Sequence, residues 1–240
     1  MKKQTLFIIP YLICVSCFTQ QHWNYNDYAK NNIENFRNNK LFNEVIDFNS
    51  IDYPRLDAAI FYVTNEMRVK NELPPLEYAP ELEICAWNHS KIMVEEKFFS
   101  HTNPNNTKRE TPEKRAILAG IKNPFIAENI ADVFGIKYKA NDPIYILDKD
   151  KGLFSYSEAG KPIEPHSYLT FAEQVVDDWM HSQGHRKNIL SKDALQLGCG
   201  AYFYTDKDFY NIAKFKATQN FQLFKKIIAT KPADKFPNNK

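Results

Sequence analysis

WMHSQGHRKNIL, from Trp179 to Leu190, brings two histidines, an arginine and an asparagine into a turn directly after an apolar helical stripe. Upstream, Phe171, Val175, Val176 and Trp179 recur at three- and four-residue steps, the spacing of one buried helical face. Thr170 and Glu173 have the Ser/Thr-x-x-Glu spacing of a capping box and are expected to open that helix. Gly184 lowers helix propensity, so the helix is expected to stop before His185. His185 then sits in a loop, where binding and catalytic groups gather.

Working outward, Leu56, Ile60, Val63 and Met67 predict an amphipathic helix opened by Pro54. The prolines of ELPPLEYAP force extended backbone, and Pro80 suits the first turn of the next helix. Leu82, Cys85, Ala86, His89 and Met93 mark its buried face, which makes His89 a core histidine. Thr111-Pro112 opens a short helix that Gly120 ends. The polar stretch 137–167 reads as an inserted loop or small hairpin. Beyond Leu190, LGCGAYFYT and YNIAKFKATQNFQLF alternate as strands do. Helices followed by strands give an α+β class, a sheet with helices packed on it. Residues 18–53 form a polar extension, read as a spacer or loosely docked helix, and 224–240 a polar tail.

The 240 residues suffice for one domain with extensions, and a net charge of +2 without basic runs excludes a nucleic-acid partner. MKKQTLFIIPYLICVSC, residues 1–17, has the two lysines and short apolar run of an export signal. Its final Cys17 suggests lipidation and a membrane tether, although Cys14 departs from the usual aliphatic residue. The expected location is therefore the cell envelope or beyond it. Cys85 and Cys199 form either one disulfide or two buried thiols.

His101 follows two phenylalanines in a loop, and Glu128 lies among apolar residues in AENIA. With His185 they make a plausible zinc-type donor set or an acid–base pair around a water. His181 and His185 have the spacing of a zincin pair, but the base position holds Ser182. Ser182 also lacks the flanking glycines of a nucleophile elbow. His181 is left to solvent or a cleft rim. Arg186 is expected to pair with a carboxylate or backbone carbonyls, Asn188 to bond local backbone, and Gln219 to serve the scaffold.

NEMRVKNELPPLEYAPELEICAWNHS, FFSHTNP, AENIA, WMHSQGHRKNIL, LGCGAYF and TQNF occur in this order, over roughly residues 55–223. Together they resemble the CAP superfamily of SCP-like extracellular domains, in its bacterial branch. The resemblance implies an α–β–α sandwich with a central, mostly antiparallel sheet, here spanning 54–223 with 137–167 inserted. It implies a cleft lined by two histidines and two acids, matched by His101, Glu128 and His185. It implies divalent-metal binding in some members and sterol or lipid binding in others. The second acid is replaced by Ser182, and Asp178 on the same helical face could supply a carboxylate. The expectation is an exported cleft for a lipid-like or peptide-like ligand, with zinc or another divalent cation as a possible cofactor. A hydrolase acting through the same cleft is the alternative, weakened by the missing acid and the lack of an oxyanion stabiliser.

Overall fold

The computed structural model describes residues 23–230; the expected signal, Cys17 and residues 231–240 lie outside them. Two one-turn helices, α1 (Asp27–Lys30) and α2 (Lys40–Asn43), precede α3 (Tyr53–Lys70). Asp52 caps α3 by accepting from the Arg55 N–H at 3.2 Å, with Pro54 in the first turn. Next come β1 (Glu77–Tyr78) and α4 (Pro80–Glu95), which Pro80 opens as expected. Thr111 caps α5 (Pro112–Leu118), and Gly120 follows in a left-handed conformation at φ 101°. AENIA falls within a strand, β2 (Ile126–Phe134). The stretch after it contains a hairpin, β3 (Tyr145–Asp148) and β4 (Leu153–Ser155). Then follow α6 (Tyr168–His181), α7 (Gln183–Ile189), β5 (Ala194–Asp206) and β6 (Ile212–Leu223).

The main sheet runs β1-β5-β6-β2, with β1 parallel to β5 and the other pairings antiparallel. On one face β5 carries glycines because α4 lies against its backbone. A Cβ at Gly198 would stand 2.1 Å from the Glu83 nitrogen, and one at Gly200 2.2 Å from the Trp87 nitrogen. The other face presents Leu197, Ala201, Phe215 and Phe221, which share one core with Leu56 and Ile60 of α3 and Val175, Val176 and Trp179 of α6. Helices thus cover both faces of a mostly antiparallel sheet: an α–β–α sandwich of the α+β class.

Strand β2 is an outer strand, and an open edge invites foreign strand pairing. Side chains take up two of its outward carbonyls. Trp179 Nε1–H donates to the Ile130 carbonyl at 3.0 Å, and Asn188 Nδ2 donates to that of Glu128 at 3.3 Å. The same bonds hold α6 and α7 against the sheet.

Three expectations are corrected, and the open alternative for the two cysteines is decided. The extension before α3 is no loose spacer: Trp23, Phe36, Phe42 and Ile46 are buried in the main core, and the Trp23 N–H donates to Asp52 Oδ2 at 3.0 Å. The capping box of α6 is Ser167 with Thr170, three residues earlier than expected, and Glu173 instead meets Arg37 at 2.5 Å. Gly184 does not stop helix formation; Ser182 divides two helices, and His185 is helical in α7. A single glycine lowers helix propensity, by about 1 kcal/mol relative to alanine, without forbidding the helix. Cys85 and Cys199 are free, buried thiols in separate clusters on opposite faces of the sheet.

Gly200→Ala should therefore destabilise strongly, by about 3 kcal/mol or more, since backbone must move. Gly184→Ala meets nothing within 4 Å and should be neutral or stabilise by up to ~1 kcal/mol. Urea unfolding of both variants checks the contrast.

Candidate functional site

Glu128 points to the α4 side of β2, and its side chain is only 2% exposed. Burying a carboxylate costs several kcal/mol unless it is paired. Arg115, equally buried on α5, supplies the pairing: its Nη2 lies 2.9 Å from Oε1 and 2.7 Å from Oε2. Its Nη1 donates to the carbonyls of His101 (3.0 Å), Arg109 (3.0 Å) and Glu110 (3.2 Å), so one guanidinium also fixes the loop bearing His101. Asn220, across the ladder on β6, turns its amide so that Nδ2 donates to Glu128 Oε2 at 3.0 Å.

His101 Nδ1 stands 2.9 Å from Glu128 Oε1. Against an ionised carboxylate that nitrogen carries the hydrogen, which leaves Nε2 as an acceptor on a half-exposed ring. Burial pushes the Glu128 carboxyl up, but the His101 hydrogen bond and the cationic Arg115 outweigh it and hold the group below the usual range. His89 is buried, as expected, yet it also belongs to this group. Its Nε2 lies 3.1 Å from the Ser100 carbonyl and 3.8 Å from Glu128 Oε1. Burial lowers its pKa to about 4, so it is neutral at pH 7.

The His185 backbone is held from the other face of the same strand. Its backbone carbonyl accepts from Asn129 Nδ2 at 3.2 Å. Asn129 Oδ1 accepts from Asn188 Nδ2 at 2.9 Å, and Asn129 Nδ2 also donates to Gln219 Oε1 at 3.1 Å. Gln219 Nε2 continues to Thr64 Oγ1 on α3. Asn188 and Gln219 are scaffold residues as expected, but they work across the fold rather than locally. Burial first, and the neighbouring His101 second, keep His185 below the ordinary histidine pKa.

The remaining expected residues stand apart. Ser182 is the N-cap of α7, without a side-chain capping bond. Asp178 is exposed on α6 and accepts from Gln174 Nε2 at 2.9 Å. His181 is exposed over Asp177, on a different helix from His185. Arg186 has no carboxylate partner among the described residues. It lines a groove of about 660 Å³ with Ala127, Lys187, Leu190, Leu223 and Phe224.

Among the described residues, no group of three or more His, Cys, Asp and Glu side chains is placed to hold a metal ion. Arg115 occupies both Glu128 oxygens, and a guanidinium repels a divalent cation. The donors present do not fit the metal set that the resemblance implied.

The family model of CAP, the Cysteine-rich secretory protein family, matches residues 61–221. The chain belongs to the CAP family. Among curated CAP relatives it is 26% identical to the uncharacterized membrane protein YlbC of Bacillus subtilis, over 69% of this chain and 34% of that one. It is 28% identical to the uncharacterized protein YkwD of the same organism, over 60% of this chain and 41% of that one. The chain thus spans well under half the length of either relative. Among solved structures, an extracellular SCP-domain protein of Bacillus anthracis is 25% identical, with a TM-score of 0.47 over 72% of this chain and 42% of that one. An outer surface protein of Borrelia burgdorferi is 18% identical, with a TM-score of 0.42 over 69% of this chain and 91% of that one.

Arg115 gives no sequence motif of its own; only its partner, a glutamate in an apolar strand, demands a buried cation. Arg115→Met leaves that carboxylate buried and unpaired, and should cost about 3–5 kcal/mol in urea unfolding. A loss under ~1 kcal/mol would show that the pair matters little.

Proposed function

We propose that this CAP domain is an exported ligand-binding module rather than an enzyme. The polar end of the ligand meets His101 Nε2 and the His185 ring, and its apolar part lies in the groove that begins at Ala127. The arrangement around Glu128 carries this reading. A carboxylate held ionised by Arg115 and His101 has no proton to give as a general acid. Among the described residues no hydroxyl or thiol is hydrogen-bonded to the ring of His101 or His185, so neither imidazole has a nucleophile to activate. The Cys85 thiol is buried, and burial pushes it up to about 12. Two imidazoles suit a hydroxyl, amide or carboxylate head, while Leu190, Leu223 and Phe224 suit an acyl chain. We read the ligand as amphipathic and lipid-like, captured without a metal.

The export-like stretch at residues 1–17 and the membrane-protein description of the YlbC relative support a place in the cell envelope, with Cys17 as a lipid anchor. Among the described residues no helix is long and apolar enough to cross a membrane.

Fluorescence titration with a dansylated fatty acid should saturate. The His101→Ala, His185→Ala double variant should bind about tenfold more weakly, ~1.4 kcal/mol. Binding should persist through neutral pH and weaken as His185 protonates below the ordinary histidine range. The same protein should not hydrolyse p-nitrophenyl acetate above the buffer rate. Turnover that the double variant loses would favour the hydrolase.

A further inference from the structure

One end of the main sheet differs from the rest of the surface. The register brings Glu77, Ala194, Leu223 and Ile126 to this end. Here Phe125 and Phe224 are 47% and 60% exposed, and their rings meet edge-on at 6.0 Å. Ile228 is equally open, and its backbone is tied to the same loop by the Lys122 N–H (2.9 Å) and Asn123 Oδ1 (2.7 Å). Phe224 has φ +62°, a left-handed conformation that an aromatic residue adopts only at a cost. Its N–H is held by the Asp193 carbonyl at 2.8 Å. Backbone strain therefore accompanies a ring that faces water.

Cations surround these rings. Lys122, Lys225 and Lys226 are exposed beside them, and Arg186 and Lys187 line the groove that Phe224 borders. Asp193 in the groove and Glu77, paired with Lys226 at 2.5 Å, are acids at this end. From Phe224 to Lys240 the sequence carries five lysines and one aspartate.

We infer that this end of the sheet is a docking face for an anionic phospholipid bilayer. Phe125, Phe224 and Ile228 enter the interfacial layer, and the lysines with Arg186 meet the headgroups. The inference deepens the proposed function, since it turns the mouth of the groove toward the membrane that would supply its ligand. It rests on that reading only for the orientation of the groove.

The full chain is mixed with phosphatidylglycerol/phosphatidylcholine vesicles whose acyl chains are brominated. Phe224→Trp and Phe125→Trp report from the face. Tyr145→Trp reports from the exposed hairpin, whose cluster includes Ile136 and Ile212 at the far end of the sheet. Bromine should quench the added tryptophan at 224 and 125 at least ~3-fold more than at 145, and salt should reduce the difference. Sedimentation with vesicles but equal quenching at all three positions would overturn the docking face and leave the tether standing. Neither sedimentation nor quenching would overturn both. Equal quenching in pure phosphatidylcholine would overturn the anionic preference. The dansyl titration without vesicles tests the groove separately, so each reading can fail alone.

Discussion

Glu128 puts a charge where water cannot reach it, and four parts of the chain converge to make that tolerable. Arg115 comes from α5, His101 from the loop between α4 and α5, Asn220 from β6, and His89 from α4. Each contact serves the carboxylate, and each also fixes the element that supplies it. The position of His101 is thus a consequence of neutralising Glu128. A guanidinium is well matched to this work, since Nη2 meets both oxygens while Nη1 holds the carbonyls of the His101 loop.

The second histidine depends on the next residue of the strand. Successive side chains of a strand point to opposite faces. Glu128 therefore faces α4 and holds the His101 loop, while Asn129 faces α6 and α7 and holds the His185 backbone. Two adjacent positions on one outer strand thus hold the two histidine-bearing segments from opposite faces of the sheet. Trp179 and Asn188 hold that strand in place through its outward carbonyls, which also leaves less of the edge open for foreign pairing.

Much of this was legible in the sequence. The helical stripes of α3, α4 and α6 and the alternation of β6 announce an α+β fold because each follows its own period. His101, Glu128 and His185 stand out by their ordered motifs, and the structure brings His101 and Glu128 into direct contact. What was not legible is non-local. Arg115 lies in an ordinary short helix, and nothing near it in sequence tells of a buried carboxylate thirteen residues away. Asn188 and Gln219 looked like local scaffold residues because their partners, Asn129 and Thr64, are remote. The extension before α3 hides its anchors, Trp23, Phe36 and Phe42, among asparagines and without period. Two local rules also misled. Ser167 outcompeted the expected Thr170–Glu173 box, and Gly184 lowers helix propensity without forbidding the helix.

The most direct test of the account is the protonation of the Glu128–His101 pair, read by NMR on the native chain with labelled histidine and glutamate side chains. The account predicts that His101 carries a hydrogen on Nδ1, facing Glu128, and that the Glu128 carboxyl titrates only below the ordinary glutamate range. A His101 ring with its hydrogen on Nε2, or a Glu128 that takes up its proton near neutral pH, would contradict it. Glu128 would then be a carboxyl free for acid–base chemistry rather than the fixed charge around which this end of the fold is organised.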